Sequence, residues 1–112
     1  MPHAYCPKKR DIVWLSFDPQ TGHEQKGRRP ALTLSPEAYN FKTGLALFCP
    51  ITSQIKGYPF EVAAPSGLEV SGVILSDQVK SLDWRERDAK FCCIAPEAVW
   101  KEVIDRLGSL LD

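Results

Sequence analysis

The sequence predicts an α+β protein built on a small antiparallel barrel or strongly coiled sheet, with a short helix after the second strand and a second helix at the C-terminus. Short runs rich in β-branched and aromatic residues recur along the chain, each closed by Gly, Pro, Asn or Asp. Strands this short and closely spaced favour a compact antiparallel arrangement. The apolar period then changes from two to that of a helix in the last stretch of the chain. A length of 112 residues fits a single domain spanning residues 1–112.

The elements follow in order. DIVWLSF (11–17) reads as a strand buried on both faces, ended by Asp18-Pro19. A polar loop leads to PALTLS (30–35), the second strand. Ser35-Pro36 marks a helix start, with serine as N-cap and proline at the first helical position. Asn40 and Thr43-Gly44 keep that helix short. LALFCPIT (45–52) is the third strand. The loop SQIKGYP leads into FEVA (60–63), where Phe60 and Val62 share a face, and Pro65-Ser66-Gly67 makes a turn. GVILSDQVKSLDW (72–84) reads as one bent strand or two strands meeting near Asp77. KFCCIA (90–95) is the last strand. In PEAVWKEVIDRLGSLLD, Val99, Val103, Leu107 and Leu110 recur at helical spacing, with Pro96 in the first turn.

Composition narrows the class. Hydrophobic residues make up 44% of the chain and charged residues 25%, the profile of a globular protein. No apolar run approaches the ~20 residues of a membrane-spanning helix, and MPHAYCPKKRD lacks the apolar core of a secretory signal. The expected location is the cytosol, with no membrane partner. Cys6, Cys49, Cys92 and Cys93 contain no C-x-x-C pair and only two histidines occur, so neither a zinc site nor any other cofactor is expected. On a strand, Cys92 and Cys93 are expected to point to opposite faces. A net charge of zero conceals an asymmetry. Residues 1–56 carry eight Lys/Arg against four Asp/Glu, a balance of +4, and residues 57–112 carry six against ten, a balance of −4. A basic half suits a phosphate-bearing partner, or marks one of two solvated faces that attract each other within the fold.

The polar chemistry is concentrated in GHEQKGRRP (22–30). Glycines at 22 and 27 permit tight or left-handed backbone. Arg29 precedes Pro30 and is biased to extended geometry, where the loop becomes a strand. Glu24, five residues earlier, could supply a base to the guanidinium's anion stabilisation. The same two residues also fit an exposed ion pair, which contributes about 0–1 kcal/mol. Thr52, Ser53, Gln54 and Lys56 follow the third strand, and Asp77, Gln78 and Lys80 interrupt the 72–84 segment. Hydroxyls, amides and cations of this kind suit a sugar-phosphate chain. Tyr58, Phe60 and Trp84 offer either stacking surfaces for bases or core packing. Residue types and spacing alone end at a basic-loop protein that binds something anionic.

Four ordered segments, RDIVWLSFDP, GHEQKGRRPALTLSPEAYNFKTG, CPITSQIKGYPFEV and GVILSDQVKSLDWR, resemble the MazF/PemK family of toxin endoribonucleases nearly end to end. The resemblance implies an SH3-like antiparallel barrel with helices and a homodimer. It also implies metal-independent cleavage of single-stranded RNA at short motifs, and a MazE-like antitoxin as partner. By position it assigns Glu24, Arg29 and Thr52 to catalysis. It assigns Asp18, Gln25, Lys26, Arg28, Ser53, Gln54, Lys56 and Gln78 to RNA binding. His23 occupies a position that varies in the family, and the stretch after Lys90 matches least. A gyrase-poisoning toxin of the same fold and a non-catalytic RNA-binding module are the alternative readings.

Overall fold

The computed structural model describes residues 5–16 and 28–112. Seven strands and two helices follow one another as β1 (Asp11–Ser16), β2 (Arg28–Thr33), α1 (Glu37–Thr43), β3 (Leu45–Thr52), β4 (Glu61–Ala63), β5 (Val73–Leu75), β6 (Lys80–Asp83), β7 (Lys90–Ile94) and α2 (Glu97–Gly108). The strands form one antiparallel sheet in the order β4-β5-β3-β2-β1-β7, with β6 also paired to β3.

The expected SH3-like barrel is therefore corrected to an open sheet. Its ends, β4 and β7, are not joined by any pairing among the described residues. The physical reason lies in β3. Leu45–Phe48 pair with β6, whereas Ile51 and Thr52 pair with β5. Pro50 falls between the two sets and has no N–H to offer a continuous ladder. The outer edge of β3 is thus divided between two short strands. Cover that a closed barrel would draw from strands comes partly from α2. Val103 on that helix is fully buried, and Val99, Trp100, Ile104 and Leu107 pack against the same cluster as Ile12, Leu32, Cys49 and Ile51. The opposite face of the sheet buries Val13, Leu15, Ala31, Phe48 and Trp84. Alternation along β1, Ile12 and Trp14 against Val13 and Leu15, feeds both clusters.

Several boundaries shift for identifiable reasons. The 72–84 segment is two strands, joined by a turn at Ser76–Val79 in which the Gln78 N–H donates to the Leu75 carbonyl at 3.1 Å. β2 begins two residues before Pro30, because Arg28 and Arg29 already pair with Ser16 and Leu15. Pairing of β2 with β3 starts only at Ala31, so the N–H missing from Pro30 lies outside that ladder. Pro36, with ψ at 157°, and not Ser35, is the N-cap of α1. The Ser35 hydroxyl is taken by buried Asn40 and accepts the Leu47 N–H. Pro96 likewise caps α2 from outside, and Leu110 and Leu111 lie beyond its end, exposed. Cys92 and Cys93 do not straddle the sheet. The register with β1 jumps from Ile12–Cys93 to Val13–Phe91, leaving Cys92 as a bulged residue. Both thiols are half-buried against one cluster, and all four cysteines are free. Among the described residues no helix is long and apolar enough to cross a membrane.

Candidate active site

Two strand ends build the site. Arg29 stands at the second position of β2, locked by its pairing with fully buried Leu15, so an exposed guanidinium grows from a fixed backbone. Thr52 is the last residue of β3 and pairs with Val73 of β5. Its Oγ accepts the Gln54 N–H at 3.1 Å, which leaves the hydroxyl hydrogen to be donated elsewhere.

Arg29 and Thr52 each line two neighbouring cavities. The first holds about 280 Å³ and is walled by Gln54, Lys56, Tyr58, Glu61, Gln78 and Lys80 around Pro50, Ile51 and Leu75. Its cations, Arg29, Lys56 and Lys80, outnumber its one carboxylate. That carboxylate, Glu61, is occupied in holding the loop, since it accepts the Lys56 N–H at 3.0 Å and the Gly57 N–H at 2.9 Å. Tyr58 ties the same loop to the β5–β6 turn by donating to Asp77 Oδ2 at 2.8 Å. This hydrogen bond pushes the phenol pKa up, so Tyr58 stays a neutral donor. The second cavity, about 380 Å³, is lined by Trp14, Ser53, Glu69, Val70 and Ser71. The pair Arg29–Thr52 therefore stands where a cationic cleft meets an aromatic, mildly acidic one.

Of the residues expected at the site, Arg29, Thr52, Gln54, Lys56 and Gln78 share the first cavity, and Ser53 joins Arg29 and Thr52 in the second. Arg28 lines neither of these cavities. Neighbours on a strand point oppositely, and its guanidinium reaches the Asp88 carbonyl at 3.2 Å and the Asp88 carboxylate at 3.6 Å. Asp18, His23, Glu24, Gln25 and Lys26 lie outside the described residues. Trp84 is core, 3% exposed, with its indole N–H donated to the Asn40 carbonyl at 2.9 Å. Lys80 and Tyr58, singled out from residue type though not by the family resemblance, line the first cavity, whereas Glu61, Trp14 and Glu69 were not among the expected residues. Lys80 opens β6 just after the turn that carries Gln78, which brings both to the same cavity. The glutamates gave no signal, because each becomes part of a wall only through the chain that folds across it. Among the described residues no cluster of three or more His, Cys, Asp or Glu side chains is placed to hold a metal.

Comparison with known proteins gives a consistent neighbourhood. Residues 8–111 match a family described as PemK-like, MazF-like toxin of type II toxin-antitoxin system. The chain is 54% identical over 98 residues to the endoribonuclease toxin MazF of Escherichia coli strain K12, covering 87% of each. A crystal structure of MazF (Form-I) from Deinococcus radiodurans superposes with a TM-score of 0.87 at 58% identity, covering 96% of this chain and 98% of that one. A MazE–MazF crystal structure (Form-II) from the same organism gives 0.87 at 53% identity, covering 96% and 97%.

Proposed function

This chain belongs to the PemK-like, MazF-like toxins of type II toxin–antitoxin systems and is an endoribonuclease; from that premise we propose that Glu24, Arg29 and Thr52 form its active site. The observation that carries this reading is the shared position of Arg29 and Thr52 between two cavities. A phosphodiester held there has one flanking nucleotide in the cationic cleft and the other beside Trp14.

The nucleophile is the 2′-hydroxyl of the RNA. Glu24 accepts its proton as the oxygen attacks the adjacent phosphorus. Arg29 stabilises the extra negative charge of the phosphorane, and the Thr52 hydroxyl donates to a phosphate oxygen. An arginine seldom releases its proton, so its part is electrostatic. The P–O5′ bond breaks, the leaving 5′-oxygen takes up a proton, and the products are a 2′,3′-cyclic phosphate and a 5′-hydroxyl. No step calls for a metal. DNA binds without being cut, because it lacks the nucleophile. Lys56, Lys80, Gln54 and Gln78 hold the backbone and base edges of a single strand. We further assign to the protein a homodimeric state, a MazE-like antitoxin as inhibitor and action in the cytoplasm, where its mRNA substrate is.

Incubating the purified protein with a long unstructured RNA in EDTA and mapping the ends tests the scheme. Discrete cuts bearing cyclic phosphates are expected. Intact RNA, or cleavage that EDTA abolishes, would reject it.

A further inference from the structure

We propose that Gly72 is the positioning residue that seats Thr52 at the junction of the two cavities, an inference that rests on the catalytic reading of Thr52. Gly72 precedes β5, whose first residue, Val73, pairs with Thr52 on one side and with Ala63 on the other. A side chain at position 72 meets two separate obstacles. The backbone there has φ at +113°, a conformation that L-residues rarely adopt. A β-carbon would also overlap the Thr52 carbonyl oxygen, lie 2.8 Å from the Thr52 carbonyl carbon and lie 2.9 Å from the Ser53 α-carbon.

The second obstacle is what singles Gly72 out. Gly67 has a similar φ of +95° and Gly57 one of +80°, but a β-carbon on either meets nothing within 4 Å. At Gly72 the absent side chain lets one backbone lie directly on another. Glu69–Ser71, the residues just before this close approach, line the second cavity together with Thr52 and Ser53. The Gly72 carbonyl is itself fixed by the Ala64 N–H at 2.9 Å. Thr52 is thus gripped at its own backbone, and its hydroxyl is aimed by main chain rather than by neighbouring side chains.

Gly72→Ala must displace Thr52 and Ser53, and a misplacement near 1 Å slows a positioned reaction by up to about 10²-fold. We expect kcat to fall about tenfold to a hundredfold with KM within about threefold. Gly67→Ala carries the same backbone strain without the overlap and keeps kcat within about twofold. In the double variant with Thr52→Val, Gly72→Ala adds little to the loss from Thr52→Val alone, because the two changes act on one group. Wild-type kcat in Gly72→Ala, an equal loss in Gly67→Ala, or full additivity in the double variant each overturns the proposal. If Gly72→Ala does not fold, Ala64→Pro removes the N–H that fixes the Gly72 carbonyl. A fall in kcat of about three- to tenfold is then expected, and an unchanged kcat overturns the proposal. Unchanged cleavage by Thr52→Val instead refutes the catalytic role of Thr52 itself, a separable result.

Discussion

The polar cluster around Asn40 and the polar rim around Arg29 use the same kinds of group in opposite ways. Asn40 is fully buried, and both faces of its amide are engaged. Its Nδ2 donates to the Pro7 carbonyl at 2.8 Å and the Ser35 carbonyl at 3.0 Å, while its Oδ1 accepts the Ser35 hydroxyl at 2.6 Å. Its backbone carbonyl takes the Trp84 indole and the Gly44 N–H. This network ties the N-terminal segment, α1 and the turn after β6 into one unit. Arg29 is exposed, its guanidinium carries five donors, and that side chain makes no hydrogen bond or ion pair to another described residue. Saturated polar groups define the fold here. At the rim, Arg29 is presented on a paired strand and faces the two cavities.

That contrast breaks first at the rim. Arg29→Ala and Glu24→Gln each slow RNA cleavage by about 10²–10⁴-fold, while Tm stays within about 2 °C. Near-normal cutting by either variant removes that residue from the site. The mirror experiment is Asn40→Ala, which leaves buried partners unsatisfied and costs about 2–4 kcal/mol of stability in a denaturant titration, with kcat per folded molecule unchanged. A stable Asn40→Ala protein with impaired cleavage would reverse the assignment of the two clusters. Lys56→Ala with Lys80→Ala sharpens the picture by raising KM about tenfold and reducing the salt dependence of RNA binding by about 0.7 for each phosphate no longer neutralised. An unaltered salt slope would place the RNA backbone elsewhere. The smallest effect belongs to Arg28→Ala, which breaks an exposed pair with Asp88 and shifts stability by less than about 1 kcal/mol, with cleavage rates within about twofold of normal. A large loss of activity there would return Arg28 to the RNA path.

Much of this was legible in the chain. β3 matches LALFCPIT end to end, because an apolar run bounded by Gly44 and a polar loop leaves little room for another reading. The division of the 72–84 segment near Asp77 was also visible. Closure was not, because Pro50 interrupts β3 only in relation to strands far away in sequence. The N-cap role of Ser35 was lost to Asn40, a tertiary competitor that local rules do not contain. Cys92 and Cys93 misled for a similar reason, since a bulge is a property of the pairing with β1 and not of KFCCI itself. At the site, the strand mouths were legible, and Arg29 near the start of β2 and Thr52 at the end of β3 line the same two cavities. Arg28 already belongs to β2, two residues earlier than the strand was expected to begin, and its guanidinium turns to Asp88 while Arg29 lines the cavities.

The broken outer edge of β3 carries one more consequence. Its half nearest β6 is held through four residue pairs, whereas the half bearing Thr52 is held by β5 through two. The β5 half is nonetheless the better buried, since Val62, Val73 and Ile74 lie in the core and β5 is paired on both sides. Amide protons of Val73–Leu75, paired on both sides and largely buried, should exchange with deuterium later than those of Lys80–Asp83, which pair with β3 alone. The cut edge thus sets Thr52 against the better protected of the two strands that share it.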